Sequence, residues 1–360
     1  MSTAKSQSRS STKAAPTLPA WASEAGWDSD VVLSTRARLA RNVRGLPFPG
    51  RAMDDDLKLV VEAVDLALRA AGKELAALRP VDVGRLDLPH RSSLVDSHLI
   101  SVQHATAGPW RWALVDDRHT VSVMVNEEDH LRIQAILPGH QLSSAWKIAD
   151  ALDDAFAASL DYARHPRYGY LTASLSNCGT GLRASVMTHL PGLALIGRLE
   201  ESLTAAQTLG ISIRGSFGEN TGMAGDVFQI SNGVSIGLSE SQVIARLGAV
   251  VTYLITDERS AREVLWRSER GSVEYRVADA AARLKAATRL SASEAMSILS
   301  MLRLGDHLGM PTGVSPTVFN ELLASMRMGA QFVLGRKAHY TFYEETRRPA
   351  LIRNRIRKIG

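Results

Sequence analysis

The chain of 360 residues has little of several features that would define a class of protein. It has one cysteine, Cys178, which excludes an internal disulfide, and no Cys/His group has the spacing of a zinc site. No apolar run is long enough to span a membrane. The first 20 residues are rich in Ser, Ala and Lys and lack the apolar segment of a signal peptide. We therefore expect a disordered leader over 1–20 and a cytoplasmic protein without membrane association.

An interleaved basic and aromatic surface is also missing, although the net charge is +5. Residues 1–20 carry a charge of +3 and residues 336–360 carry +6, so the remainder of the chain is at −4. Only 6% of the residues are aromatic. Nucleic-acid-binding proteins carry their positive charge on one folded face. We therefore expect no direct nucleic-acid partner.

The hydrophobic fraction, 45%, is ample for a large core. Alternating apolar residues predict strands, the last of them over 227–230, and helical spacing predicts helices between them. Ser239 with Gln242 and Ser291 with Glu294 have the pattern of capping boxes. The fold class is therefore α+β: an antiparallel β-sheet flanked by helices in a catalytic domain over 21–256, followed by an all-helical C-terminal domain over 257–360. The main predicted elements are strands at 31–33, 110–115, 121–125, 131–137, 169–175, 183–190 and 211–214, and helices at 54–76, 144–162 and 193–209.

A glycine-rich loop at 179–181 precedes Arg183. Glycines allow a backbone to approach a ligand closely, and arginine suits phosphate, although a turn between two strands explains such a loop equally simply. The loop also matches the dinucleotide pattern G-x-G-x-x-A, which requires a helix starting at Gly181. Because residues 183–189 alternate like a strand, we reject the dinucleotide site.

Five arginines on several predicted strands point to a polyphosphate ligand. Side chains two residues apart on a strand share a face, so Arg36 and Arg38 should point the same way. Arginine stays charged and binds phosphate oxygens with two N–H groups. Because a cluster of cations is costly without an anion, a triphosphate is the reasonable ligand. The five are Arg36, Arg38, Arg132, Arg183 and Arg214.

Two separated acids indicate the acceptor. A guanidinium must lose a proton before it becomes nucleophilic, and two carboxylates would hold it while one accepts that proton. Glu128 and Glu219 fit this pair, and Glu127 is a candidate for holding a magnesium-bound water. A solvated turn is the simpler explanation for consecutive acids. The chain has neither a P-loop nor the protein-kinase motifs.

These motifs together resemble the ATP:guanido phosphotransferase family. The resemblance is carried by residues 28–36 (DSDVVLSTR), 126–133 (NEEDHLRI), Asn177 and 179–191 (GTGLRASVMTHLP). Residues 228–232 (FQISN) and 303–305 (RLG) are similar to its bacterial protein-arginine kinase (McsB) branch. That branch lacks the extra N-terminal helical domain of the small-guanidine kinases, as this chain does.

The resemblance implies ATP with Mg²⁺ as donor, exposed arginine side chains of proteins as acceptors, and a homodimer. It also implies an McsA-like adaptor and a Clp protease system as partners. Glu128, Glu219 and the residue at position 174, here Ser174, would be catalytic. The implied ATP-binding residues are Ser34, Thr35, Arg36, Arg38, His98, Arg132, Arg183, Ala184, Ser185, Met187 and Arg214.

Two positions depart from the family pattern. The family cysteine before the glycine loop is Ser174 here, and Cys178 occupies a position that is normally apolar, so we expect it to pack. The family segment Arg-Asp-x-x-Arg-Ala, which binds phosphoarginine as a regulator, is represented by residues 344–349 (EETRRP). Only Arg348 of its two arginines is present, and Glu344 replaces the first. We therefore predict a degenerate regulatory site.

Three functions remain open at this point. The first is a protein-arginine kinase. The second is a kinase for free arginine or another small guanidine. The third is a catalytically weakened relative with a regulatory role, which the serine at position 174 favours.

Overall fold

The computed structural model describes residues 18–70, 72–106, 108–215, 224–233, 235–326 and 338–357. Within them lies an eight-stranded sheet in which every neighbouring pair is antiparallel. This confirms the predicted antiparallel sheet. Its strands are β1 (Val32–Arg41), β2 (Arg79–Asp82), β3 (Trp112–Val115), β4 (Val121–Val125), β5 (Leu131–Pro138), β8 (Leu182–His189), β9 (Ile211–Gly215) and β10 (Val227–Asn232). A separate hairpin pairs β6 (Arg164–His165) with β7 (Gly169–Tyr170).

The strand order β2-β3-β4-β5-β1-β8-β10-β9 places β1 in the interior of the sheet. β1 pairs with β5 from Ser34 to Arg41 and with β8 from Val32 to Leu39. Ala37 and Leu39 are buried. The ten-residue β1 therefore has a paired strand on each side, and its side chains help to define the sheet surface that is available to a ligand.

Helices cover the apolar face of the sheet. The helix over Asp54–Ala70 begins with three aspartates, which suit the positive end of a helix dipole. It buries five apolar residues at helical spacing. Leu39, Ile133 and Phe156 belong to the same core. The helices before residue 209 are α1 (Ala20–Ser23), α2 (Asp54–Ala70), α3 (Lys73–Ala76), α4 (Leu88–Asp96), α5 (Val102–Thr106), α6 (Leu142–Ala157), α7 (Pro191–Leu195) and α8 (Leu199–Thr208).

Every described element of secondary structure between residues 240 and 357 is a helix. Both predicted capping boxes are present, with Ser239 and Ser291 as N-cap residues. A second core holds Leu265, Leu299 and Phe319, and Trp21 from the N-terminal part belongs to it. The helices are α9 (Glu240–Ser268), α10 (Arg270–Ala286), α11 (Ala292–His307), α12 (Pro316–Ser325) and α13 (Ala338–Arg357). In the described part of the chain, no helix is both long enough and apolar enough to cross a membrane.

The helix α9 runs past the point where the sequence pattern predicts its end, near Thr256. It continues without interruption to Ser268. The expected boundary between residues 256 and 257 therefore falls inside a helix, and the division into domains stays a prediction. Glu258 on this helix accepts hydrogen bonds from the N–H groups of Gly192 and Leu193, both at 2.9 Å.

Several predicted elements are wrong in extent, among them the helix expected over 144–162, which spans Leu142–Ala157. The strand expected over 169–175 ends at Tyr170, because the backbone groups beyond it form hydrogen bonds with side chains and not with a neighbouring strand. Thr172 Oγ1 donates to the carbonyl of Ser174, and the Ala173 N–H donates to a carboxylate. The helices expected over 54–76 and 193–209 are each divided into two. In the second, Gly197 with φ of 72° separates α7 from α8.

Candidate active site

One face of the sheet brings the arginines together. Residues paired across antiparallel strands point to the same side, and Arg38 pairs with Arg183. Arg132 pairs with Ala40, two positions from Arg38 on β1. Arg214 pairs with Gln229 on β10, which in turn pairs with Met187 on β8. The register therefore places all five predicted arginines on one side, as the spacing on β1 predicts for its pair.

The arginine charges of the cluster act on one another. Burial and the neighbouring Arg132 and Arg183 charges lower the pKa of Arg36 to about 10. Burial, with the charges of Arg36, Arg132 and Arg183, also lowers the pKa of Arg38. The Nε atoms of Arg36 and Arg38 are buried without a hydrogen-bond partner. Buried donors of this kind are rare unless a ligand or water completes them.

Neutral acceptors hold two of these guanidinium groups. Arg36 Nη2 donates to Gln229 Oε1 at 3.3 Å, and Arg183 Nη2 lies 3.5 Å from Ser231 Oγ. Gln229 and Ser231 were not among the predicted site residues. They stand two apart on β10, so their polar alternation was the available signal. Because these acceptors carry no charge, the positive potential of the cluster is retained.

His98 lies beside the arginines. Burial and the charges of Arg36 and Arg38 lower its pKa to about 4. The ring packs on Trp21 with centroids 4.9 Å apart, and the His98 carbonyl accepts from Gln134 Nε2 at 2.7 Å. A neutral imidazole therefore lies at the edge of the basic face.

The remaining ATP-binding candidates divide between the two faces. Ser34, Ser185 and Met187 share the arginine face through the register of β1 and β8. Thr35 and Ala184 do not, because adjacent residues on a strand alternate. Thr35 Oγ1 donates to the Gly139 carbonyl at 2.6 Å, and Ala184 belongs to the hydrophobic core. The structure therefore places these two side chains away from the cluster.

The loop between β4 and β5 carries the acids. Glu127 is almost fully buried, and its Oε2 lies 2.7 Å from Arg132 Nη1. Its carboxylate also accepts from Ser101 Oγ and from the N–H of Glu128. Burial raises the pKa of Glu127, but the Arg132 charge and these hydrogen bonds lower it overall. Glu127 thus orients Arg132, and its place as a water-mediated magnesium ligand stays a prediction.

Glu128 has a different environment. Burial and the charge of Asp129 raise its pKa, although Arg132 and Arg38 act in the opposite direction. A carboxylate with a raised pKa is a better proton acceptor than an ordinary glutamate. Glu128 is therefore close to the basic face, and its raised pKa suits it to accept a proton from a guanidinium.

Asp129 connects the acid loop to the serine segment. Its Oδ1 accepts from Asn42 Nδ2 at 2.6 Å and from the N–H of Ala173 at 2.7 Å. Ser174 follows directly, with its Oγ 2.8 Å from Ser176 Oγ. Asp129 was quoted in the motif but given no role, since its partner is distant in sequence. Its bonds place Ser174 next to the acid loop.

The residues of the glycine-rich segment after Ser174 serve packing. Cys178 is buried with its Sγ 3.3 Å from Thr172 Oγ1, as expected for a packing residue. Gly181 has a φ of +70°, and a Cβ there would meet Arg41 Nη1 at 2.4 Å. Gly179, with φ of +105°, lies against Ser235 and Ile236. The glycines therefore accommodate the protein's own chain, as expected of a turn between two strands.

One predicted residue falls outside the described part of the chain, and another lies away from the arginine face. Glu219 falls outside the described residues, so its pairing with Glu128 stays a prediction. Arg348 lies on α13, where it is buried and its Nη1 donates to the Leu290 carbonyl at 3.1 Å. Glu344, one turn earlier, is also buried and accepts from Arg347 Nε at 3.2 Å.

This arrangement fits a triphosphate. Several guanidinium groups converge on one face, and two of them have buried N–H groups without partners. Among the residues described, no group of three or more His, Cys, Asp or Glu side chains could hold a metal ion.

Comparisons with known proteins agree with this chemistry. Residues 59–261 match the family model for the ATP:guanido phosphotransferase C-terminal catalytic domain. Residues 270–360 match the model for the protein-arginine kinase McsB C-terminal domain.

Curated relatives and solved structures point the same way. The protein-arginine kinase of Pelotomaculum thermopropionicum is 41% identical over 309 residues, covering 85% of this chain and 87% of that protein. That of Halothermothrix orenii is 39% identical over 339 residues, covering 94% and 97%. Among solved structures, a lombricine kinase has a TM-score of 0.59 at 26% identity, covering 68% of this chain and 71% of that one. A duplicated taurocyamine kinase from Schistosoma mansoni with bound transition-state analogue components gives 0.59 at 25% identity, covering 69% and 36%.

Proposed function

The chain belongs to the ATP:guanido phosphotransferase family, and we propose that it is a protein-arginine kinase. In this proposal the γ-phosphoryl group of ATP is transferred to the guanidinium of arginine side chains in proteins. The observation that carries it is the single sheet face on which Arg36, Arg38 and Arg183 lie beside the acid loop.

The arginine face would bind the phosphates. Phosphoryl transfer relies mainly on positioning and electrostatic stabilisation, and arginines fixed on neighbouring strands supply both. The unpartnered Nε atoms of Arg36 and Arg38 would donate to phosphate oxygens. Arg132, oriented by Glu127, would add a third contact. Magnesium, carried by the nucleotide, would neutralise part of the phosphate charge.

Glu128 and Glu219 would hold the acceptor. One guanidinium nitrogen attacks the γ-phosphorus, and the bond from phosphorus to the β,γ-bridging oxygen breaks with its electron pair leaving on ADP. The nitrogen loses a proton, which Glu128 accepts. Ser174, positioned through Asp129, would hydrogen-bond the acceptor where the family has a cysteine. These roles rest on the family resemblance together with the placement of Glu128 and Ser174.

The proposal extends to the cellular setting. ATP is abundant in the cytoplasm, and the chain has one cysteine, which is free and buried, so we place the enzyme there. By family resemblance it would be a homodimer. By family resemblance it would work with an McsA-like adaptor and a Clp protease system. The relatives at about 40% identity support protein substrates, because their names state that activity.

One labelling experiment tests the function. The protein is incubated with γ-labelled ATP and either an unfolded arginine-rich protein or free arginine. Acid-labile label on the protein supports the proposal. Label confined to free arginine indicates a small-guanidine kinase, and absence of label from both indicates a non-catalytic relative.

Glu219→Gln tests the second acid in the same assay. Transfer should fall by roughly 10²–10⁴-fold, the usual effect of losing a positioned base, while ATP still binds. Glu201→Gln, at an exposed position on α8, is the matched control and should leave transfer unchanged. Undiminished transfer by Glu219→Gln contradicts the role assigned to it.

A further inference from the structure

The β6–β7 hairpin presents a compact exposed surface that the proposed mechanism does not use. Its exposed side chains, which we call the hairpin surface, are Arg164, His165, Arg167 and Tyr168. His165 and Tyr168 stack with ring centroids 4.7 Å apart, and the Arg167 guanidinium lies 5.4 Å from the Tyr168 ring. The aromatic rings therefore hold the cations in place without neutralising them.

The cations of this surface have no carboxylate partner among the residues described. The Arg164 guanidinium lies 5.4 Å from the Tyr170 ring, and no salt bridge joins Arg164 or Arg167 to an acid there. At the base of the hairpin the situation differs, since Arg44 Nε lies 3.1 Å from Asp161. The tip of the hairpin thus has a charge of +2, exposed and available.

The hairpin is bonded to the catalytic loops. Tyr170 and Gly179 exchange backbone hydrogen bonds, which join the hairpin to the segment after Ser174. Asn42 Nδ2 donates both to Asp129 and to the carbonyl of Leu171. The Asn42 carbonyl accepts from the N–H of Ala163. Both ends of the hairpin therefore share an anchor with the acid loop.

We propose that the hairpin surface binds the polypeptide on which the acceptor arginine lies, and that it favours segments with carboxylates close to that arginine. This inference rests on the proposed kinase function and names a substrate preference for it. The charge complementarity is direct, because Arg164 and Arg167 match Asp or Glu side chains. The His165–Tyr168 ring stack adds a surface against which an extended chain can pack.

The acceptor arginine and its neighbours in the substrate would meet opposite charges on the enzyme. The acceptor guanidinium is cationic and goes to the acids, whereas a cationic neighbour would meet Arg164 and Arg167. Acidic neighbours would therefore lower KM and basic neighbours raise it. Exposed charge pairs are individually weak, so the expected effect is about fivefold for each change of flanking charge.

The test compares three peptides, each with one arginine, whose flanking residues are Glu, Ser or Lys. The wild-type chain should give kcat/KM in the order Glu, Ser, Lys, with the differences in KM and reduced by added salt. Arg164→Glu with Arg167→Glu should reverse the order. The matched control is Arg246→Glu with Arg276→Glu, two exposed arginines outside the hairpin, which should keep the wild-type order.

The outcomes separate the two proposals. An unchanged order in the hairpin variant, with the peptides still labelled, overturns the docking surface and leaves the kinase function intact. Equal labelling of all three peptides by the wild-type chain does the same. Absence of label from every peptide and from an unfolded protein counts against the kinase function, and the hairpin inference falls with it.

Discussion

Arg38 and Arg183 lie directly opposite each other on β1 and β8, and neither forms a salt bridge with any residue described. Like charges at paired positions of a sheet destabilise it. The protein tolerates this arrangement because a polyanion would relieve it. The pairing therefore lowers the stability of the nucleotide-free protein in favour of polyanion binding.

Replacing Arg38 should stabilise the nucleotide-free protein. Arg38→Met removes a partly buried cation from among like charges, so the free energy of unfolding should rise by about 1–2 kcal/mol at low salt. Affinity for ATP should fall about tenfold or more. Urea denaturation with and without nucleotide measures both. Arg276→Met, at an exposed site, should change neither, and a destabilised nucleotide-free Arg38→Met would contradict the explanation.

Removing the carboxylate partner of Arg132 should destabilise the protein. Glu127→Gln leaves the Arg132 guanidinium without its counter-ion in a nearly buried position, which should cost about 2–4 kcal/mol of stability. Saturating ATP should recover part of that loss, because phosphate replaces the carboxylate. Thermal denaturation with and without nucleotide checks this. Glu62→Gln, at an exposed site, is the control, and equal losses in both variants would count against the pairing.

The pH dependence should identify Glu128 as the proton acceptor. It works only when ionised, and burial with the Asp129 charge raises its pKa, so kcat/KM should decline on acidification at a higher pH than for an ordinary glutamate. Glu128→Gln should remove that decline and slow transfer by roughly 10²–10⁴-fold. His98, with a pKa lowered to about 4, should add no step near neutrality. His98→Asn should therefore keep the midpoint, and a shifted midpoint would reassign it.

Restoring the family cysteine should accelerate the reaction. Ser174→Cys introduces a thiol whose ionised form attracts the acceptor guanidinium more strongly than a hydroxyl does. We expect kcat to rise by up to about tenfold, equivalent to about 1.4 kcal/mol. Rates across pH measure the gain, which should be largest where the thiol is ionised. Ser176→Cys, two residues on, is the control, and a gain shared by both variants would not support a role for position 174.

Phosphoarginine should have little effect on activity. Glu344 stands where the family motif has its first arginine, and it is buried beside Arg347. Free phosphoarginine should therefore change kcat by much less than the roughly 5–150-fold typical of allosteric coupling. Titration into the peptide assay measures this. Strong stimulation that is lost in Arg348→Ala would show that the regulatory site works despite Glu344.

The arrangement of the arginines was predictable because it depends on short-range alternation. Arg36 and Arg38 share a face by spacing alone, and the strand after Gly181 was clear from its apolar pattern. The same alternation explains why Thr35 and Ala184 point away. They entered the prediction through family resemblance, which identifies segments of chain without separating side-chain contacts from backbone contacts.

Long-range bonds account for most of what the sequence could not predict. Asp129 holds Ala173 across 44 residues, and no local pattern signals that pairing. The strand β2 was missed because Arg79, Pro80 and Asp82 interrupt the usual alternation. The closeness of Arg41 to Gly181 is likewise visible only in three dimensions.

The uninterrupted course of α9 sets a limit on how this enzyme can be shortened. A fragment ending at Thr256 would lose Glu258 and Arg262, and with them the acceptor for two N–H groups at the start of α7 and a donor to the Asp30 carbonyl. Such a fragment should be insoluble or poorly folded when expressed alone. Engineers who want a minimal kinase should therefore keep the helix whole.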